Sequence, residues 1–131
     1  MQEEIILKTE KREEMIDITR KIENIIKKLK IKEGICFLFI PHTTAAVLIN
    51  ENADPNISLD ILKALRNLVL PKDWKHNLID DNADSHIKSS IIGISEIIPV
   101  KEGQLCLGKW QCIFFCEFDG PRERKIIIKI I

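Results

Sequence analysis

Two histidines in this sequence stand among polar residues that interrupt apolar stretches. His42 lies in the segment Pro41–Ala45 (PHTTA), and His86 ends the segment Asp80–His86 (DDNADSH). Histidine transfers protons or binds metals near neutral pH, and the oxygens of Asp and Asn suit a hard divalent cation. We predict that the two histidines meet in one pocket, with Asp84 and Glu51 or Glu117 nearby, either within a subunit or across a subunit boundary.

Two further polar clusters stand close to predicted strands. The first is Asn50–Asp54 (NENAD), which follows an apolar run. The second and weaker one combines Trp110 and Gln111 with the segment Glu117–Arg124. The two arginines of that segment fit either a phosphate clamp or a solvated edge of the molecule.

Simpler structural roles stay open for several of these residues. His42 with its two threonines is also compatible with an ordinary turn, and the Asp and Asn residues before His86 are typical of a helix N-terminus. His76, in a Lys-rich loop beside Trp74, is interpreted as a surface residue, and Trp110 as part of the core.

Three helices are predicted between these clusters. The first is capped by Asp17 or Thr19 and followed by Gly34, and its apolar stripe is Ile18, Ile22, Ile25, Ile26 and Leu29. The second has Ser58 or Asn56 as N-cap and Pro71 as stop signal, and its stripe is Leu59, Leu62, Leu65 and Val69. A third, short helix is entered through Asp80–Ser85 and ends at Gly93.

Apolar runs of strand length account for most of the remaining chain. The predicted strands are Ile5–Leu7, Ile35–Ile40, Ala45–Ile49, Ile94–Val100, Gln104–Phe118 and Lys125–Ile131. On one face of the long fifth strand, Lys109, Gln111 and Glu117 mix with apolar residues, which favours a subunit interface or a site wall. We predict a single compact α+β domain over residues 1–131, with a mostly antiparallel mixed sheet, two main helices and one short helix.

Composition limits the classes of partner. Basic and acidic residues number 20 each, so the basic excess of nucleic-acid-binding proteins is missing, and we predict no nucleic-acid partner. No apolar run approaches the roughly 20 residues of a membrane span, and the charged first residues do not resemble a signal peptide. We therefore predict no membrane association and a cytoplasmic location. Cys112 and Cys116 lie four residues apart on a predicted strand, too far for a disulfide or a shared zinc ion, so we predict buried free thiols in a reducing compartment.

Taken in order, the clusters resemble the YjbQ-like family, also called the secondary thiamine-phosphate synthase family. The resemblance spans nearly the whole chain, from the first helix to the last strand. Lys109 departs from it, because the family more often has a small Thr there, and the Cys-rich strand is a second departure. The segments that carry the resemblance are Phe39–Ala46, Ile49–Pro55, Asp81–Lys88, Gly103–Gln111 and Phe115–Arg122.

The resemblance implies a homotrimer with a site near subunit boundaries. It also implies a synthase activity that joins a pyrimidine diphosphate to a thiazole phosphate and releases pyrophosphate, as a side activity. The expected catalytic residues are His42, His86, Asp84 and Glu117. The expected substrate-binding residues are Thr43, Thr44, Asn52, Asn82, Gln111 and Arg122. A divalent magnesium or zinc ion is expected on His42, His86, Glu51, Asp54 and Asp81.

Three other functions use the same residues. The first is metal-assisted hydrolysis of a phosphate ester. The second is non-catalytic binding of a phosphorylated metabolite, and the third is a trimeric interaction protein whose polar clusters are structural. Product analysis separates the first from the synthase, because one gives a coupled thiazolium product and the other gives bare phosphate. Metal-dependent turnover of any pyrophosphate would argue against the non-catalytic binding of a metabolite.

Overall fold

Eight strands, three α-helices and one short 3-10 helix follow one another along the chain, and the computed structural model describes all residues 1–131. The strands are β1 Gln2–Lys8, β2 Glu14–Asp17, β3 Gly34–Phe39, β4 Ala45–Asn50, β5 Ser95–Lys101, β6 Gln104–Leu105, β7 Cys112–Glu117 and β8 Glu123–Ile130. The helices are α1 Thr19–Lys28, α2 Asn56–Leu68 and α3 Ala83–Ile92, and the 3-10 helix is Lys75–Leu78. No helix combines the length and apolar character needed to cross a membrane.

The strands form two sheets in which every pairing is antiparallel. The larger sheet has the order β1-β8-β3-β5-β6, and the smaller one has the order β2-β7-β4. The prediction of a single compact α+β domain with largely antiparallel strands and three α-helices is thus confirmed.

The main core lies between the two sheets because successive strand residues point to opposite faces. Ile113 and Phe115 of β7 face the larger sheet, where they meet buried residues such as Ile126 and Ile128. Ile22 of α1 belongs to the same cluster. The alternate residues of β7 turn outward to a second cluster, which α2 covers with Leu62 and Leu65.

The predicted strand Gln104–Phe118 is wrong, because a turn divides it into β6 and β7. The turn is closed by a 3.0 Å bond from the Gln111 N–H to the Gly108 carbonyl, and the Gly108 N–H donates to Gln111 Oε1 at 2.7 Å. Lys109 and Gln111 consequently share no strand face with Glu117. Trp110, predicted as core, is 59% exposed.

Smaller predictions need correction as well. Four residues pair as β2 where no strand was predicted. The predicted α2 caps are wrong: Asp54 Oδ1 accepts the first N–H of the helix, from Asn56, at 2.9 Å. At α1 the N-cap is Ile18 and not Asp17 or Thr19 as predicted, although Asp17 Oδ1 accepts from the Thr19 N–H at 2.9 Å. All four cysteines are free as predicted, although Cys106 is exposed and Cys112 is only half-buried.

Candidate functional site

The site begins where β3 stops. Phe39 is paired with Ile127 of β8, so the same register would place residue 41 opposite Lys125. Residue 41 is a proline, and the chain leaves the sheet there. The Lys125 N–H, left without a strand partner, donates instead to Nε2 of His42 at 2.9 Å. His42 therefore replaces the missing strand and is fixed by β8.

This hydrogen bond sets the chemical state of His42. A neutral imidazole that accepts at Nε2 carries its hydrogen on Nδ1, so Nδ1 is a donor. Burial lowers the pKa of His42 below its ordinary value of 6.5, and the positive charge of Arg124 lowers it further. At neutral pH His42 is thus an uncharged hydrogen-bond donor held in a fixed position.

A buried ion pair between Arg124 and Glu117 joins the two sheets below His42. Arg124 is on β8 of the larger sheet and Glu117 on β7 of the smaller one, and both point into the space between them. Arg124 Nε donates to both Glu117 oxygens at 2.9 and 3.1 Å, and Nη2 donates to Thr44 Oγ1 at 2.8 Å. The Thr9 hydroxyl donates to Glu117 at 2.7 Å. The apolar core therefore ends here in a buried, hydrogen-bonded polar cluster.

An open cleft of about 590 Å³ lies over this cluster. Its wall brings together residues from the β3–β4 connection, from the entrance of α3 and from the β7–β8 connection. Six of the residues predicted for the site line it: His42, Thr43, Thr44, Asn82, His86 and Arg122. His42 and His86, which lie far apart in sequence, also line a smaller adjoining cavity of about 340 Å³.

Asp119 organises the side of the cleft opposite the threonines. Its Oδ2 accepts from Asn82 Nδ2 at 2.7 Å and from Arg122 Nη2 at 2.9 Å, while its carbonyl accepts from Arg122 Nε at 2.7 Å. The adjoining Gly120 has no room for a side chain, since a Cβ would lie 2.8 Å from Glu117 Cγ. These contacts hold the Arg122 guanidinium at the cleft, where about half of the side chain is exposed.

Several polar atoms at the cleft have no partner within the chain. Asn82 Oδ1 is buried and accepts no hydrogen bond. The bonds of Arg122 and Arg124 use only Nε and Nη2 of each, so both Nη1 groups are free to donate. Buried polar groups in proteins are nearly always satisfied by protein, water or ligand. The Asn82 oxygen needs a donor, whereas the two arginine groups are themselves donors that suit an anion with several oxygen atoms.

Two of the predicted catalytic carboxylates lie outside the cleft wall. Glu117 is fully buried behind Arg124. Asp84 is buried on α3 between Arg12 at 3.3 Å and Lys88 at 3.2 Å. Burial favours a higher pKa for Asp84, but its hydrogen bonds to Arg12 and Lys88 outweigh this and lower the pKa. Lys88 also bonds Glu13 at 3.2 Å, so this network ties α3 to the segment before β2.

The predicted residues Glu51, Asn52, Asp54 and Gln111 lie at the opposite end of β4 from His42. Glu51 and Gln111 line a separate cavity of about 340 Å³. Asn52 donates to Asp17 at 2.9 Å, and Asp54 bonds the start of α2. Within one chain no three His, Cys, Asp or Glu side chains come together in a way that could hold a metal ion. The predicted ligands thus do not assemble in one subunit, and the divalent metal stays a prediction.

His76 and Asp119 were not among the residues assigned to the site, although Asp119 lies within the weaker polar cluster Glu117–Arg124. His76, predicted as a surface residue, is half-buried, and its ring lies 4.8 Å from that of His86 in an edge-to-face contact. Asp119 gave no periodic signal because it lies in a turn. Arg124 did give a periodic signal. It lies on the same strand face as the apolar residues Ile126 and Ile128, so its side chain had to point inward.

Comparison with known proteins agrees with the sequence resemblance. The family model described as UPF0047 protein YjbQ-like matches residues 3–131. The chain belongs to the YjbQ/UPF0047 family. The UPF0047 protein MJ1081 of Methanocaldococcus jannaschii is 50% identical over 125 residues, which cover 95% of this chain and 90% of that protein. UPF0047 protein YugU of Bacillus subtilis is 46% identical over 128 residues, covering 95% of each chain.

Solved structures of YjbQ-like proteins share the fold over almost their whole length. A YbjQ-like protein of unknown function from Sulfolobus solfataricus P2 has a TM-score of 0.95 at 42% identity and covers 99% of this chain and 95% of its own. A YjbQ/UPF0047 family protein from Clostridium acetobutylicum has a TM-score of 0.93 at 43% identity, covering 98% of both chains. The cleft described above is therefore built on the shared YjbQ fold.

Proposed function

We propose that the cleft binds a phosphorylated small molecule and that the chain joins a pyrimidine diphosphate to a thiazole phosphate, as a side activity. The observation that carries the proposal is the set of unpaired donors around one cleft: the Nη1 groups of Arg122 and Arg124 and the Nδ1 hydrogen of His42. A volume of about 590 Å³ is within the range of pockets that hold ligands of this size.

The reaction places a simple demand on these groups. The bond between the pyrimidine methylene carbon and the diphosphate oxygen breaks, and the thiazole nitrogen supplies the electron pair for the new carbon–nitrogen bond. Negative charge grows on the departing pyrophosphate, and preformed donors stabilise such charge without having to reorganise. We assign this role to Arg122 and to neutral His42, with Thr43 at the exposed rim to orient the substrate.

Binding without turnover is the second candidate function. It is favoured because Asp84 and Glu117, the two carboxylates predicted as catalytic, are both engaged by buried cations. A phosphate hydrolase is the third. Incubation with the two synthase substrates decides between them: a coupled thiazolium phosphate supports the synthase, orthophosphate supports the hydrolase, and binding with neither product supports the binding protein.

Binding itself is tested by calorimetry with thiamine phosphate, the coupled product, on the wild-type protein and on Arg122→Ala. We expect Arg122→Ala to weaken binding at least tenfold because it removes the most exposed cation of the cleft. Arg66→Ala is the matched control, since Arg66 is an exposed arginine on α2 outside the cleft. Equal affinity of Arg122→Ala and wild type would contradict the proposed anion site.

The homotrimer is part of the same proposal and is supported by the outer face of the larger sheet. No helix covers that face, and it exposes Ile6, Ile35 and Ile97 by 51%, 42% and 65%. Large exposed apolar surfaces are typical of protein interfaces. We expect sedimentation equilibrium to give three times the chain mass of 15.1 kDa. A monomer at micromolar concentration would contradict this assembly.

A further inference from the structure

A second cavity, which we call the Trp74 pocket, lies on the other side of His86. It has a volume of about 480 Å³ and is lined mainly by Trp74, His76, Ala83, His86 and Ile87. In contrast to the cleft, its wall is made of ring faces and aliphatic groups, with Lys75 and Asp73 as its charged members. Its chemistry therefore suits an uncharged flat group and not an anion.

The rings of the Trp74 pocket are held in fixed positions. Trp74 Nε1 donates to the Leu70 carbonyl at 2.5 Å, which orients an indole that is 39% exposed. The rings of His76 and His86 meet edge to face at 4.8 Å with an interplanar angle of 82°. An exposed aromatic ring that is fixed by a hydrogen bond offers a stacking surface at little cost in conformational entropy.

The Trp74 pocket adjoins the anion-binding cleft through two contacts. His86 forms part of the wall of both cavities. Asp80 of the cleft lies 3.4 Å from Nε2 of His76, which lines the Trp74 pocket. One ligand with an anionic end and an aromatic end therefore matches two neighbouring sites of opposite chemistry that meet at His86.

We propose that the Trp74 pocket is the subsite for the aromatic ring of the ligand, which stacks on Trp74 beside His86 while its phosphate lies in the cleft. This inference rests on the proposed function and makes it more specific, because it assigns the ring of the ligand to one pocket and its phosphate to another. Stacking of a ligand ring on an aromatic side chain adds to affinity, and alanine substitution of the aromatic residue removes that contribution.

The sequence offers a direct test, since Trp74 and Trp110 are its only two tryptophans. Trp110→Phe leaves Trp74 as the sole indole, and Trp74→Phe leaves Trp110, which lies in the turn between β6 and β7. We expect thiamine phosphate to quench the fluorescence of Trp110→Phe and to leave that of Trp74→Phe unchanged. Ribose 5-phosphate, which lacks an aromatic ring, should quench neither variant.

Calorimetry adds a second readout with the same ligands. We expect Trp74→Ala to bind thiamine phosphate about tenfold more weakly and ribose 5-phosphate as well as the wild type does. Trp110→Ala is the matched control and should bind both as before. Unchanged thiamine phosphate affinity in Trp74→Ala would overturn the Trp74 pocket and leave the phosphate cleft standing. If neither phosphate binds the wild-type protein, both proposals fail.

Discussion

Buried charges hold the Thr44 end of β4, whereas exposed side chains surround its Asn50 end. At the first end Arg124 and Glu117 cross between the sheets and Thr44 completes their bonding. At the second end Glu51 and Gln111 border an open cavity without any cross-sheet ion pair. Six strand residues separate the two ends by roughly 20 Å.

The polar clusters at the two ends of β4 thus have different roles because different strands lie beside them. Both ends of β4 pair with β7 in the smaller sheet. Only at the Thr44 end does the larger sheet place a cation, Arg124, opposite a carboxylate of β7. A polar cluster that faces a charged residue of the second sheet forms a buried ion pair and can support a binding site. A polar cluster without such a partner stays exposed to solvent.

The largest expected effect comes from removing the buried ion pair between Arg124 and Glu117. We expect Glu117→Gln to lower the free energy of unfolding by about 3–5 kcal/mol, because Arg124 is left buried without its counter-charge. Urea denaturation measures the change. Glu51→Gln, the same substitution at the other end of β4, should stay within about 0.5 kcal/mol. A loss below 1 kcal/mol for Glu117→Gln would mean that the ion pair does not distinguish the two ends.

The next largest effect is expected on ligand binding. His42→Ala and His86→Ala should each weaken thiamine phosphate binding at least tenfold, a change of about 1.4 kcal/mol, with an intact circular dichroism spectrum. Gln111→Ala, at the far end, should bind normally if each cleft is built from one subunit. A tenfold loss in Gln111→Ala would instead show that the far end of one subunit completes the cleft of another.

A smaller effect is expected on the pH dependence of stability. Because the folded pKa of His42 lies below 6.5, the unfolded chain binds more protons as the pH falls through 6.5. Stability should therefore be complete above that pH and decline below it, by less than the one-proton limit of about 1.4 kcal/mol per pH unit. His42→Gln keeps an acceptor for the Lys125 N–H but does not titrate.

Denaturation of both proteins between pH 7.5 and 5.5 isolates this contribution. The free energy of unfolding of His42→Gln should fall less steeply with decreasing pH than that of the wild type. A steeper fall in the variant would mean that His42 becomes more basic on folding, contrary to its contacts.

The smallest expected effect is at the Asn50 end. Asp54→Ala should cost about 0.5–1 kcal/mol, because the Asn56 N–H loses its acceptor at the start of α2. Ser58→Ala should cost less, since the Ser58 hydroxyl only donates to the Pro55 carbonyl. Thermal unfolding of the two variants tests the order. The reverse order would return the capping role to Ser58.

The elements that the sequence predicts best are those with a clear apolar period. The α1 stripe at Ile22 and Ile26 and the β3 run before Pro41 are found where periodicity places them. The strand over Gln104–Phe118 was not correctly predicted, because the Gly108–Gln111 turn lies between apolar residues whose alternation continues on both sides. Such local turns are decided by hydrogen bonds that composition does not reveal.

The residues of the candidate site could also be predicted only in part. His42, Thr43 and His86 were found because they interrupt apolar stretches, and the fold brings them to one cleft. The separation of Glu51 and Asp54 from that cleft depends on the direction in which β4 runs away from it. Residue type and spacing carry no information about that direction, so a metal site and a helix cap look alike in the sequence.

The position of β8 links completion of the fold to completion of the site. This strand lies between β1 and β3, and it supplies both the cation for Glu117 and the N–H that fixes His42. Synthesis proceeds from the N-terminus, so β1 and β3 emerge before the strand that joins them. A chain interrupted before Glu123 would leave open strand edges, which favour aggregation. Such unfinished chains would also lack the cation for Glu117 and the N–H for His42, so only complete molecules would carry the proposed phosphate site.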